Sequence, residues 1–190
     1  MQHNIDGLQF QEDKADTKNV TLNTVEEWWI ENTSNPGTQV PGPVSHPFHI
    51  HVNPFQIVEV FDPNQQVLTT NQPRNRLVAK YVTTTPTDGT VQCQISPTDR
   101  TTWFDCHNPL ANDNAPRVWW DVFSIPSPNT SITVNVPGYQ GSLPGHFRMR
   151  SRFVDFPGVY VIHCHILAHE DRGMMIIVEV APLQSPYAHH

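Results

Sequence analysis

Between Val161 and Met175 the chain reads VIHCHILAHEDRGMM, which sets Cys164 between His163 and His165 and follows them with His169 and Met174. Upstream, HPFHIH supplies His46, His49 and His51. Thiolate, thioether and imidazole are soft or borderline donors, so the chemistry these residues share is transition-metal binding. Successive side chains of a strand point to opposite faces. On that rule His49 and His51 point together with His46 opposed, and His163 and His165 share a face with Cys164 opposed. If the two segments form neighbouring strands, one side gathers four imidazoles and the other gathers the Cys164 thiolate and His46. His169 and Met174 can curl back to the thiolate side because Gly173 loosens the intervening loop.

Two separate metal sites follow. His46, Cys164 and His169 with a weak axial Met174 compose the ligand set of a blue-copper electron-transfer site. Tetrahedral zinc competes for the same donors, although zinc sites rarely use methionine and a structural zinc needs no four-histidine face behind it. His3, His107 and His146 lack such partners and are expected at the surface. Asp155, Glu170 and Asp171 lie near the motif but read as solvated carboxylates without a catalytic role.

The elements that must hold these residues are strands. Apolar residues recur in short runs punctuated by turn residues, the pattern of an all-β sandwich or barrel, and helical periodicity is nearly absent. Strands are expected at Val20–Asn32, Phe48–Phe61, Arg76–Val82, Arg117–Ile125, Ser131–Pro137, Phe147–Val154, Gly158–His165 and Met174–Ala181. Residues 83–116 turn polar and broken and read as one long loop excursion, which at that length needs a function or a pin. Cys93 and Cys106 within it fit a clamping disulfide, implying an oxidising compartment, with two free thiols as the alternative. Asn19, Asn32 and Asn129 each open an N-x-S/T pattern.

A length of 190 residues suits a single domain spanning 1–190. Only 11 Lys and Arg stand against 18 Asp and Glu, and the net charge of -7 argues against nucleic acid or an anionic membrane as partner. No segment approaches the roughly 20 apolar residues of a bilayer-crossing helix. Polar QHNIDG after Met1 predicts no export signal.

At the motifs themselves, HPFHIH and HCHILAHEDRGMM resemble the two C-terminal copper motifs of multicopper oxidases of the laccase kind. The flanking NTVEEWWIENTS and RMRSRFVDFPGVYVIHCH are similar to that family as well, so the resemblance covers most of the chain outside 83–116. It implies a Greek-key β-sandwich or barrel of the cupredoxin type with one long loop insertion. It also implies that 1–190 is the C-terminal cupredoxin domain of a longer enzyme, hence a fragment.

Carried over residue by residue, the resemblance makes His46, Cys164 and His169 ligands of type 1 copper with Met174 axial, and leaves Met175 as a core residue starting the last strand. His49 would bind type 2 copper, and His51, His163 and His165 the type 3 pair. The implied activity is oxidation of phenolic or similar donors with O2 as acceptor. Electrons enter at type 1 copper and pass through Cys164, His163 and His165, the catalytic residues, to a trinuclear cluster that reduces O2 to water. In the family, half of the cluster's histidines come from an N-terminal domain carrying an HxHG motif, which this sequence lacks. The chain thus holds a type 1 set and half of a cluster, the implied partners are N-terminal cupredoxin domains, and the parent enzyme is expected to be secreted or periplasmic. The alternatives are a free-standing blue-copper electron-transfer protein, which leaves four histidines idle, a copper nitrite reductase-like domain, whose type 2 site needs fewer of them, and a noncatalytic remnant.

Overall fold

The alternation of large apolar and polar residues is realised as paired strands in a computed structural model, which describes residues 5–11, 17–34, 43–64 and 118–182. Its elements are β1 (Thr17–Thr21), β2 (Thr24–Asn32), β3 (His46–Ile50), β4 (Phe55–Phe61), β5 (Trp119–Trp120), β6 (Val122–Ile125), β7 (Asn129–Val136), β8 (Tyr139–Leu143), β9 (Gly145–Phe153), β10 (Gly158–Cys164), the single-turn helix α1 (Leu167–Glu170) and β11 (Met175–Ala181). One sheet has the order β1-β11-β10-β3-β6 and a second β2-β9-β4-β5, while β7 and β8 pair as a hairpin. Only the β1–β11 pairing is parallel among the described strands. Among the described residues no helix is long and apolar enough to cross a membrane.

The two larger sheets bury their facing side chains against each other, which is how antiparallel sheets with one apolar face become stable. Phe48 and Ile50 of β3, Ile162 of β10, and Ile176, Val178 and Val180 of β11 meet Phe55 and Ile57 of β4 and Phe147, Met149 and Phe153 of β9. At the centre Phe48 stands edge-on to Phe55 and Phe147, with ring centroids 5.5 and 5.7 Å away, the arrangement that suits aromatic quadrupoles. The all-β sandwich expected from the sequence is present.

Several boundaries differ from expectation for local reasons. The run Val20–Asn32 divides into β1 and β2 at a turn where Asn23 adopts a φ of 67°, a conformation asparagine tolerates. The run Phe48–Phe61 is two strands in different sheets, because Val52 takes a φ of 67° and Pro54 has no amide hydrogen for a ladder. Asp121 interrupts the Arg117–Ile125 run between β5 and β6. The hairpin strand β8 was not expected from YQGSL; Pro137 and Gly138, the latter at φ 83°, supply the tight turn that folds it onto β7. The expected strand at Arg76–Val82, the excursion at 83–116 with Cys93 and Cys106, and His3 and His107 lie outside the described residues.

His146 is a correction of larger size, being 1% exposed rather than on the surface. It lies on β9 directly across from Phe61 and stacks on that ring, with its imidazole 3.8 Å from the Trp29 ring centroid on the other side. Phe61 belongs to a second apolar cluster with Val134, Val136 and Leu143 of the hairpin, so the outer face of the sheet is sheltered there.

Phe147 is fully buried and contacts Phe48, Phe55 and Phe123. Phe147→Ala is expected to lower the unfolding free energy by about 3–5 kcal/mol, read as a shifted denaturation midpoint. A loss under about 1 kcal/mol would show that this ring is not central to the core.

Candidate metal centre

Antiparallel pairing of β10 with β3 sets His163 opposite His49 and Cys164 opposite Phe48. The register continues beyond the strand ends, where the His51 N–H donates to the Val161 carbonyl and the His165 N–H to the Pro47 carbonyl. Opposed residues share a face, so His49 and His163 point together away from the core. Cys164, Phe48 and, two positions further along, His46 point toward it. The two faces therefore carry different donors for a purely geometric reason.

On the core side His46 and Cys164 are 5% and 3% exposed. The one-turn helix α1 brings His169 back over them, and the chain is then stitched to the cysteine by hydrogen bonds from Met174 N–H to the His169 carbonyl and from Cys164 N–H to the Met174 carbonyl. Cys164 Sγ lies 3.6 Å from His46 Nδ1 and 3.6 Å from His169 Nδ1, and those nitrogens are 3.2 Å apart. A metal bonded to nitrogen at ~2.0 Å and to sulfur at ~2.3 Å keeps such ligand atoms roughly 3.3–3.7 Å from one another. The triangle thus has the edges that a single ion would give it. Gly173, at φ 87°, makes the turn before Met174 and packs on the opening segment: Phe10 N–H donates to its carbonyl, and Gln9 Nε2 donates to the carbonyl of Arg172.

On the opposite side the ligand atoms of His49, His51 and His163 converge within 4.8 Å of one another. His51 Nε2 and His163 Nε2 are 3.2 Å apart. His165 stands at the edge of this group, its ring centroid 5.4 Å from that of His49 and 5.5 Å from that of His163. Two of these rings have their tautomers fixed by their surroundings. His49 Nδ1–H donates to the Asp121 carbonyl at 2.8 Å, which leaves Nε2 as a lone-pair donor. His163 Nδ1–H is shared between the Cys164 carbonyl and the Glu170 carboxylate, each at 3.3 Å, which likewise frees Nε2.

All eight sequence-predicted ligands lie in described residues, and the fold gathers His46, Cys164 and His169 on one side and His49, His51 and His163 on the other. Glu170 is a correction: it touches His163 and is not merely a solvated carboxylate, whereas Asp155 and Asp171 are exposed as expected. Met175 does begin β11, but it is half-buried opposite His163, off the core face where Ile176 lies. The Asp121 carbonyl was invisible to sequence reasoning because any residue type supplies a carbonyl. Ser34, whose hydroxyl meets His46, carries no signal at its spacing either.

Burial pushes the Cys164 thiol above the ordinary cysteine range. Burial and, secondarily, Arg172 hold His169 below the ordinary histidine range. Partial desolvation, then the neighbouring His49 and His163, does the same to His51. These shifts favour His51 and His169 as neutral donors in the absence of metal, while the cysteine must give up a proton to ligate.

A family model described as Multicopper oxidase matches residues 1–115 and 111–184. A laccase from Bacillus stratosphericus is 42% identical over 52 residues, which is 25% of this chain and 10% of the relative. A solved multi-copper oxidase from Pediococcus acidilactici is 20% identical with a TM-score of 0.52, over 98% of this chain and 25% of that one. A laccase structure from the same organism is 21% identical with a TM-score of 0.50, over 94% of this chain and 24% of that one. The likeness to both structures is one of fold, and the chain spans about a quarter of their length.

Because one thiol must ionise, Co(II) uptake at the cysteine side is expected to release a proton and to weaken about tenfold per unit of falling pH. Thiolate-to-metal absorption during titrations at several pH values measures this. Pairwise comparison with Cys164→Ser decides the origin: a substituted chain with the same absorption and pH slope would place the proton elsewhere.

Proposed function

We propose, from the premise that this chain belongs to the multicopper oxidase family, that it acts as the C-terminal copper-binding domain of a laccase-like enzyme. The observation that carries this reading is the convergence of His46, Cys164 and His169 on one side of β10 and of His49, His51 and His163 on the other. The donor sets differ in the way the two tasks require. Thiolate with two imidazoles, and the Met174 thioether as a further weak donor, would suit a one-electron centre. A face of imidazoles alone suits coppers that meet oxygen. When bound, copper supplies one-electron exchange at the first site and O2 reduction at the second.

The chain's own residues connect these tasks. Cys164 Sγ would ligate the copper that exchanges electrons on the core side, and the backbone joins it covalently to His163 and His165, so the path from sulfur to imidazole crosses no solvent gap. His46 and Cys164 are buried, which keeps water from the sulfur. The Asp121 carbonyl orients His49, and the Cys164 carbonyl with Glu170 orients His163, so each presents Nε2 to the same space. The residues 1–190 act as one cupredoxin domain whose histidine face is completed by histidines of N-terminal cupredoxin domains. Phenolic or similar reductants are the electron source and O2 the acceptor. An electron carrier would make no use of the histidine face, which is why the oxidase reading is preferred.

The test is metal loading of the purified chain. Copper binding is expected to give an intense visible absorption that Cys164→Ser abolishes, with no O2 consumption at oxidase rates; absence of the absorption in the folded, copper-treated chain would overturn the reading of the cysteine side. Sustained four-electron O2 reduction by the chain alone would overturn the need for partner domains. Met174→Leu should raise the reduction potential of the blue centre, and an equal or lower potential would exclude Met174 as axial ligand.

A further inference from the structure

Asn32 opens an N-x-S/T pattern, yet it is 3% exposed at the end of β2 and its side-chain amide is already committed: Nδ2 donates to the Val44 carbonyl at 2.8 Å. Its Oδ1 accepts the Ser34 N–H at 3.1 Å. Ser34 Oγ in turn lies 2.7 Å from His46 Nε2. The motif that reads as a glycan acceptor is thus an internal tie between the strand end at 32–34 and the segment at 44–46 that delivers a metal ligand.

We infer that Asn32 and Ser34 form a positioning clamp that fixes the ring plane and tautomer of His46. The inference rests on the copper reading of the cysteine side for its proton assignment and its consequence, while the Asn32, Ser34 and His46 contacts themselves are independent of any metal. His46 turns Nδ1 toward Cys164 Sγ, so this nitrogen must keep its lone pair to ligate. The proton then resides on Nε2, and the Ser34 hydroxyl accepts it. Asn32 holds Ser34 through the serine's own backbone and simultaneously ties down the backbone two residues before His46, so both ends of the hydrogen bond are anchored to the same amide. A partner to a ligating imidazole tunes the ring as well as aiming it. A hydroxyl is a neutral acceptor, and it draws less electron density into the ring than a carboxylate would at the same position. The clamp therefore keeps His46 a moderate donor, which favours the reduced metal.

Two measurements test this. In the metal-free chain, nitrogen NMR of His46 is expected to find the proton on Nε2; a predominant Nδ1–H form would overturn the clamp whatever the metal result. Ser34→Ala is expected to mix the tautomers and to weaken copper binding about 10–100-fold with a shifted visible band, and Ser34→Thr to restore all three. An alanine variant with unchanged tautomer, affinity and band would also overturn it. A chain with the Nε2 proton and the serine dependence of the tautomer, but no blue absorption when copper is added, would leave the clamp standing and remove the copper reading instead.

Discussion

The register between β3 and β10 is the constraint on which the rest depends. His163 opposite His49 and Cys164 opposite Phe48 fix which donors see one another. A slip by a single residue would turn each side chain of one strand to the other face. Sulfur would then meet the histidine side, and an imidazole would enter the core. Hydrophobic burial holds the register: Phe48, Ile50 and Ile162 occupy the same face as His46 and Cys164 and are all at most 6% exposed. Exposing those three apolar side chains would cost roughly 1.5–3 kcal/mol each. The core thus specifies the geometry of both candidate metal-binding groups from one side of the sheet.

That coupling explains why the two donor sets have such different environments. The cysteine set lies at the rim of the aromatic core and is closed by α1 and the turn at Gly173. The histidine set opens outward beside Val52, Trp119 and Trp120, which are among the exposed large apolar residues. One face is enclosed by the chain itself, while the other faces outward.

Much of this was legible in the sequence because it rests on period-two alternation. HPFHIH and HCH each declare their faces from spacing alone, and the strand-rich pattern follows from the same rule. What escaped was set by backbone conformation or by contacts distant in sequence. The reversal at Val52 has no glycine to announce it, and β8 is too polar in YQGSL to read as a strand. His146 seemed a surface residue because its shelter is assembled from Trp29 and Phe61 on other strands. Asn32 matched a surface pattern whose meaning changes once the amide is buried. Orientation of the candidate ligand rings depends on a carbonyl at Asp121, a hydroxyl at Ser34 and a carboxylate at Glu170, none of which can be ranked by residue type.

The turn at Gly173 illustrates how far such dependence can reach. A methyl group there would come within 2.7 Å of Gln9 Cγ and 3.1 Å of the Phe10 nitrogen, on a backbone already in the left-handed region. Side-chain size at 173 and the course of residues 9–10 are consequently one shared degree of freedom. Substitutions at these two ends of the sequence will not combine additively, and any engineering of the methionine loop has to treat the opening segment as part of the same module.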